Sequence, residues 1–166
     1  MNTMDKDYLT GLYTRQALYV LYQGMEKGSF FDFMFLDLDN FKNVNDVYGH
    51  NTGDLVLKTI AKILTENAPD AYAIRLGGDE FVLLFKGIHS KESLCSIAQN
   101  IIDNISNKSY FLDINVYLSA SIGLLYHETV TESLDSILAK SDMAMYYAKT
   151  HGKSQFIVFN DIAQSV

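Results

Sequence analysis

The chain has 166 residues, 48% of them hydrophobic and 20% charged, a composition that predicts one globular domain with a full core and excludes a disordered chain. The net charge of −7 excludes a general nucleic-acid binder, because such proteins bind phosphates through an excess of cationic side chains. No apolar run approaches the roughly 20 residues of a membrane span, and the single cysteine, Cys95, leaves no intramolecular disulfide, so we expect a domain in a reducing compartment that does not itself contact a membrane.

Helices and strands alternate along the predicted chain. Apolar side chains at helical spacing predict helices at residues 14–27, 54–67, 93–106 and 134–149. Apolar runs rich in aromatic and β-branched residues predict strands at residues 30–39, 71–76, 81–85, 110–113, 115–126 and 155–159. After the first strand, residues 40–48 are predicted as a turn or short helix and residues 49–53 as a loop.

The order of these elements predicts the class of fold. Gly77 and Gly78 lie between two strands, and glycines in this position are typical of a hairpin turn, which makes the two strands antiparallel. A hairpin inside an alternating chain favours an α+β protein over a doubly wound parallel sheet. We therefore expect a ferredoxin-like β-α-β-β-α-β core with extra helix and strand elements at the termini.

The first strand carries acidic residues among aromatic ones. Because side chains alternate between the two faces of a strand, one face is expected to carry Phe31, Phe33, Phe35, Asp37 and Asp39. Asp32 lies at the start of the strand, where it can be solvated. Asp37 and Asp39 lie at the far end and need cations, hydrogen-bond donors or water, because an unpartnered carboxylate is costly to bury.

The hairpin places two further acids, Asp79 and Glu80, directly after its glycines. In a ferredoxin-like core the first strand and the hairpin are neighbours, so Asp37 is expected to face Asp79. Two carboxylates held together repel unless a cation lies between them, and oxygen ligands alone suit Mg²⁺ or Mn²⁺. Alternation sends Glu80 to the other face, to meet a second ion, orient a nucleophile or pair with a lysine. Taken alone, the tetrapeptide also fits an ordinary turn with solvated acids.

Three lysines are candidates for contact with phosphate groups. Lys42 follows the first strand, while Lys149 and Lys153 flank the end of the last predicted helix. Each, taken alone, also fits a solvated surface lysine. The chain has no Gly-x-x-x-x-Gly-Lys phosphate loop and no Gly-x-Gly-x-x-Gly fingerprint, so a nucleotide would be held by the turn at residues 40–42.

Several stretches together resemble one family. Residues 77–81 read Gly-Gly-Asp-Glu-Phe, the signature of GGDEF domains, the bacterial diguanylate cyclases. Further stretches match the family in order, at residues 7–15, 37–54, 121–123 and 142–149. Thr14 stands where the family usually has Asn. The resemblance extends from residue 7 to about residue 159, and it implies a single GGDEF domain over residues 1–166 that belongs to a larger signalling protein.

The resemblance implies that the protein condenses two GTP into cyclic di-GMP and releases two pyrophosphates. In this family each protomer of an antiparallel homodimer holds one GTP, so the two sites face each other. The resemblance also implies a fold like that of nucleotide cyclases and polymerase palms, a cytoplasmic location, either free or as part of a membrane-attached sensor, and a regulatory domain in the full-length protein. The alternative is a catalytically silent GGDEF module that binds GTP or partners and regulates a neighbouring domain.

Functional residues of the family carry over position by position. Asp37, the Leu38 carbonyl and Asp79 would hold Mg²⁺ or Mn²⁺. Asp79 would accept the proton of the 3′-hydroxyl, with Glu80 as a second candidate. The other positions implied to contact the substrate are the guanine readers Asn45 and Asp54, the weaker contacts His50 and Phe41, the signature glycines Gly77 and Gly78, and the phosphate-binding Lys42, Lys149 and Lys153, the last replacing the family's usual Arg.

One departure from the family concerns feedback inhibition. Many members carry an Arg-x-x-Asp motif just before the signature, and the product inhibits them through it. The corresponding residues here are Ala68 and Ala71, whose side chains cannot bind a guanine or a phosphate. We therefore expect no inhibition by cyclic di-GMP through this site.

Overall fold

The computed structural model describes residues 4–107, 111, 115 and 117–163. Within them one sheet contains the strands β1 (Tyr13–Thr14), β2 (Phe30–Asp39), β3 (Ala71–Gly77), β4 (Glu80–Phe85), β5 (Ser119–Thr129) and β6 (Gln155–Val158). The helices are α1 (Arg15–Gln23), α2 (Phe41–Tyr48), α3 (His50–Asn67), α4 (Lys91–Ser106), α5 (Leu134–Thr150) and α6 (Phe159–Ala163). The predicted α+β class is confirmed.

The spatial order of the strands is β1-β3-β4-β2-β5-β6. The four central strands run antiparallel to one another, whereas β1 and β6 pair in parallel with the edges of this group. In chain order β2, α3, β3, β4, α4 and β5 form the expected ferredoxin-like core, with β1 and β6 as terminal additions. None of the helices in the described part of the chain is long and apolar enough to cross a membrane.

Helices cover both faces of the sheet. On one face, α3 and α4 bury Leu36 and Ile60 in the larger core. On the other face, α1 and α5 pack against the aromatic row of β2. As the alternation predicts, this row consists of Phe31, Phe33 and Phe35, although a bulge interrupts β2 between the first two.

Some element boundaries differ from the predicted ones because glycines end and begin the helices. α1 ends at Gln23, capped by Gly24, and does not continue to residue 27. The predicted loop at residues 49–53 is helical except for Gly49, whose φ of 87° separates α2 from α3.

Three other differences concern short or terminal elements. β1 and α6 were not predicted, since two and five residues are too short to show a period. β5 begins at Ser119 rather than at residue 115. The strand predicted at residues 110–113 lies, except for residue 111, outside the described residues.

Asp32 is fully buried, so the prediction that it can be solvated is wrong. Its carboxylate accepts hydrogen bonds from the backbone N–H groups of His89 and His127, each at 2.9 Å. The His89 ring lies 3.2 Å from the same carboxylate and 2.6 Å from Asp70 on its other side. These protein groups take the place of water around Asp32, at the end of β2 opposite to Asp37.

Candidate active site

The end of β2 and the β3–β4 hairpin meet as predicted. β2 and β4 are antiparallel neighbours, with Asp37 opposite Glu80. The Leu38 N–H donates to the carbonyl of Asp79 at 3.3 Å. The two strands therefore hold the carboxylates of Asp37, Asp79 and Glu80 together at one end of the central strands.

The hairpin turn consists of Gly78 and Asp79, not of the two glycines as predicted. Gly77 still belongs to β3 and pairs with Glu80, while Gly78 has a left-handed φ of 52° that starts the turn. Asp79 consequently lies at the tip. Since residues paired across antiparallel strands point to the same face, Glu80 shares the face of Asp37, contrary to the expectation that alternation would separate them.

Crowding of carboxylates changes the ionisation of Asp37. Burial and the charge of Asp79 raise the pKa of Asp37 to about 7, with a smaller contribution from Glu80, although the Lys149 ammonium opposes the shift. A carboxylate pair that repels in this way fits a divalent cation, which would remove the repulsion.

The oxygen atoms at this end of the strands also suit a divalent cation. No group of three His, Cys, Asp or Glu side chains with metal-binding geometry occurs in the described ranges. The ligands predicted from the sequence are the carboxylates of Asp37 and Asp79 and the Leu38 carbonyl. That donor set suits Mg²⁺, which keeps several waters or phosphate oxygens in its shell.

We expect the affinity of the nucleotide-free protein for Mn²⁺ to fall by about tenfold from about pH 8 to about pH 6, because a cation must displace the proton that Asp37 gains below its raised pKa of about 7. Isothermal titration calorimetry in buffers of different ionisation enthalpy measures both the affinity and the proton release. Asp37→Asn should bind weakly and without this pH dependence. Equal affinity of the wild type at both pH values would contradict the expectation.

Glu80 lies beside a small cavity of about 250 Å³, which is also lined by Arg15 and Asp142. Burial and the charge of Asp79 raise the pKa of Glu80, and Asp142 adds to this effect, whereas Arg15 opposes it. The cationic side chain that lines this cavity with Glu80 is therefore an arginine of α1.

Lys149 reaches the strand end from the last turn of α5. Gly123 of β5 allows α5 to pack closely against the sheet. A Cβ atom at residue 123 would lie 2.0 Å from the Ser141 carbonyl oxygen and 2.6 Å from the Met145 nitrogen. The Lys149 ammonium donates to the Leu38 carbonyl at 2.9 Å and lies 3.7 Å from Asp37 Oδ2. Lys149 thus contacts the predicted metal ligands directly.

Asp39 was not predicted as a site residue, although the structure places it in contact with Lys149. Its buried carboxylate accepts hydrogen bonds from Ser119 Oγ at 2.5 Å, Ser121 Oγ at 2.9 Å, Lys149 Nζ at 2.9 Å and the Ser154 N–H at 3.1 Å. Burial alone would raise the pKa of Asp39, but these donors hold it below its ordinary value. Asp39 was expected to need donors, and by binding them it fixes β5, α5 and the start of β6 around the end of β2.

The predicted guanine readers lie where α2 meets α3. Asn45 on α2 is half-buried, whereas Asp54 and His50 on α3 are exposed. Gly53 is buried between the two helices and lies directly against Asn45. Phe41, at the start of α2, packs against the same contact. This corner brings Asn45 and the first turn of α3 together without a phosphate loop.

We expect Gly53→Ala to weaken GTP binding by about tenfold, because a Cβ at residue 53 would lie 1.9 Å from Asn45 Oδ1 and would force that side chain to move. Equilibrium binding of 3′-deoxy-GTP, which cannot be condensed, measures the effect. Gly87→Ala is the matched control, since a Cβ there meets no atom within 4 Å. In an Asn45→Ala background, Gly53→Ala should add little. An equal loss in both backgrounds would contradict the steric explanation.

Lys42 and Lys153 are exposed, and neither forms an ion pair with any described residue. Lys153 has a left-handed φ of 62°, and its N–H donates to the Ala148 carbonyl at 2.9 Å. That backbone hydrogen bond lies in the turn between α5 and β6. The next residue, Ser154, donates its N–H to Asp39.

The ion pair between Arg75 and Asp7, which was not predicted from the sequence, supports the hairpin. Arg75 of β3 donates to the Gly78 carbonyl at 3.0 Å and to both carboxylate oxygens of Asp7 at 3.3 Å. Burial raises the pKa of Asp7, but hydrogen bonds from Thr10 and the charge of Arg75 outweigh it and lower the pKa. The N-terminal turn is thereby linked to the turn that carries Asp79.

Ala68 and Ala71 occupy the positions of the family's Arg-x-x-Asp motif. The side chain of Ala68 is buried and that of Ala71 is half-buried in β3. Asp70 between them is bound to His89. The expectation that this turn binds no product stays a prediction.

Comparison with known proteins gives consistent matches. A model of the family described as diguanylate cyclase, GGDEF domain, matches residues 4–155. The bifunctional diguanylate cyclase/cyclic di-GMP phosphodiesterase MucR of Pseudomonas aeruginosa is 35% identical over 160 residues, which are 92% of this chain and 23% of that protein. Diguanylate cyclase A of Treponema denticola is 35% identical over 146 residues, which are 84% of this chain and 38% of that protein. The chain therefore spans less than half the length of these relatives.

Solved structures show the same fold. The GGDEF domain of DgcB from Caulobacter crescentus, in complex with cyclic di-GMP, has a TM-score of 0.81 and 26% identity over 96% of this chain and 98% of that chain. The active GGEEF domain of a diguanylate cyclase from Vibrio cholerae has a TM-score of 0.70 and 27% identity over 79% of this chain and 83% of that chain. The carboxylates, the α2–α3 corner and Lys149 all lie within the range that the family model matches.

Proposed function

The chain belongs to the family of diguanylate cyclase GGDEF domains, and from this premise we propose that it condenses two GTP into cyclic di-GMP and two pyrophosphates. The observation that carries the proposal is the carboxylate pair of Asp37 and Asp79. Burial and the charge of Asp79 together raise the pKa of Asp37 to about 7, and a divalent cation would relieve the repulsion between the two carboxylates. Mg²⁺ or Mn²⁺ would be held by these two carboxylates and the Leu38 carbonyl. When bound, the ion supplies neutralisation of the phosphate charge.

The protein's own groups position the reactants and move the proton. The 3′-hydroxyl oxygen of one GTP attacks the α-phosphorus of the other, its proton passes to Asp79, and pyrophosphate leaves. A second, equivalent transfer closes the ring. Glu80 is the alternative acceptor, because its raised pKa makes it a better base than an ordinary glutamate. Positioning matters most in such a reaction, since phosphoryl transfer requires little covalent chemistry from the protein.

Phosphate groups would be met by Lys42, Lys149 and Lys153. Gly77 at the end of β3 and Gly78 in the turn leave room for them, because neither residue has a side chain. Each half-reaction needs a GTP on the facing copy, so the active form is an antiparallel homodimer. Incubation with GTP and Mg²⁺, followed by chromatography for cyclic di-GMP, tests the activity. The assay is run on the chain alone and on a fusion to a dimeric coiled coil. A GTP-binding fusion that forms no product would support the silent regulatory module instead.

Guanine selection is assigned to Asn45 and Asp54. The N1–H and N2–H₂ groups of guanine are adjacent donors that a carboxylate accepts together, whereas adenine presents an acceptor at N1. A site built on such hydrogen bonds discriminates by up to about 10⁴-fold.

We expect wild-type protein to use GTP in strong preference to ATP, and Asp54→Ala to lower kcat/KM for GTP by about 10²-fold, because two hydrogen bonds to a charged acceptor are lost. Steady-state turnover of the two nucleotides measures both effects. Glu66→Ala is the control, since this exposed acid lies at the far end of the same helix. Equal use of ATP by the wild type would disprove the assignment.

The context of the domain is likewise a proposal. The curated relatives are much longer than this chain, which supports a single GGDEF domain over residues 1–166 that works beside a regulatory domain in a larger signalling protein. A cytoplasmic location, where GTP is supplied, follows from the proposed reaction.

A further inference from the structure

Lys149 lies among the groups proposed to bind the metal. Its Nζ contacts the Leu38 carbonyl at 2.9 Å, Asp39 Oδ1 at 2.9 Å and Asp37 Oδ2 at 3.7 Å. The lysine side chain is only 19% exposed, so these oxygens provide much of its environment. Two of the three contacts are therefore made to proposed metal ligands, and the third is made to Asp39.

An ammonium and a divalent cation cannot share these oxygens without strong repulsion. Like charges a few ångströms apart repel most where water is largely excluded, and a divalent ion doubles the effect. The repulsion is relieved if Nζ leaves the Leu38 carbonyl and Asp37. Asp39 is not a proposed metal ligand, so it can keep hold of the lysine while the other two contacts break.

We infer that Lys149 is the resident counter-cation of the metal site, which neutralises Asp37 in the metal-free protein and gives up Asp37 and the Leu38 carbonyl when a divalent cation binds. Asp39 acts as the anchor on which the lysine turns. The released ammonium then faces the phosphate groups only when the metal is present. The inference rests on the proposed function in taking Asp37 and the Leu38 carbonyl as metal ligands.

A lysine that only binds phosphates would not affect metal binding without nucleotide, and this difference gives the test. Mn²⁺ is titrated into the nucleotide-free full chain, and free Mn²⁺ is followed by electron paramagnetic resonance. At about pH 9, where protons do not compete for Asp37, we expect Lys149→Met to bind Mn²⁺ about tenfold more tightly than the wild type, because the competing charge is gone. Lys149→Arg keeps the charge and should not tighten binding. Lys58→Met, an exposed lysine on α3, is the control and should match the wild type.

A second measurement needs no substitution. Lysines of the wild-type chain are reductively methylated with and without Mg²⁺, and the extent at each position is read by mass spectrometry. Mg²⁺ should increase the methylation of Lys149 and leave that of Lys58 unchanged. Unchanged or reduced methylation of Lys149 would overturn the inference.

The outcomes separate the inference from the proposed function. If the wild type binds no Mn²⁺ at millimolar concentrations and Lys149→Met binds none either, the metal site itself is wrong and the inference falls with it. If the wild type binds Mn²⁺ but Lys149→Met binds it equally or more weakly, the metal site stands and the counter-cation role is disproved.

Discussion

Asp79→Ala is expected to lower the rate of cyclic di-GMP formation by about 10³-fold or more, because one substitution removes both a proposed metal ligand and the proposed proton acceptor. The backbone of the turn should survive, since Gly78 and not Asp79 adopts the left-handed conformation. The Leu38 N–H bonds to the backbone carbonyl of Asp79, and alanine retains that carbonyl. GTP binding should persist, because Asn45 and Asp54 lie on α2 and α3. Product formation and 3′-deoxy-GTP binding, measured side by side, separate the two functions.

Glu80→Gln is the informative companion to this variant. It removes the second candidate base but leaves Asp37 and Asp79 in place. If Asp79 is the acceptor, Glu80→Gln should retain much more activity than Asp79→Ala. A larger loss in Glu80→Gln would transfer the role to Glu80, and an Asp79→Ala protein within about tenfold of wild-type activity would refute the assignment.

The fold followed from the sequence because its helices and strands have clear hydrophobic periods and because a hairpin fixes the neighbours of its strands. The expected pairing of the first strand with the hairpin also predicted that Asp37 lies near Asp79, although the two residues are far apart in the chain. The position of the turn did not follow. A Gly-Gly pair is consistent with more than one turn, and only the backbone angles of Gly77 and Gly78 decide that Asp79 lies at the tip.

The supporting contacts of the site could not be predicted for a different reason. Arg75 and Asp7 are 68 residues apart, and Asp39 and Ser154 are 115 residues apart, so no local pattern relates them. One sequence signal was present. Ser119 and Ser121 alternate in the first part of β5, where the neighbouring residues are apolar. Polar residues at that spacing point to a shared buried partner on the neighbouring strand.

Asp39→Ala is expected to lower the free energy of unfolding by about 3–5 kcal/mol, because it removes one partner of a buried ion pair and leaves the other uncompensated. Lys149, two serine hydroxyls and the Ser154 N–H all lose their common acceptor. Urea unfolding at neutral pH measures the change. Asp103→Ala is the matched control: Asp103 is an exposed acid on α4, and its loss should cost less than about 0.5 kcal/mol.

The pH dependence of this difference identifies its cause. The folded protein lowers the pKa of Asp39 below its ordinary value of 3.8. The stability that Asp39 contributes is therefore fully present above the pKa of the unfolded chain and is lost as the pH falls through the folded pKa. The difference in the free energy of unfolding between wild type and Asp39→Ala should shrink in acid. At neutral pH, Asp39→Ala should also cost less when it is made in a Lys149→Met background. A difference that stays the same from neutral to acidic pH would mean that Asp39 acts by filling space, and that its charge does not hold Lys149 at the metal site.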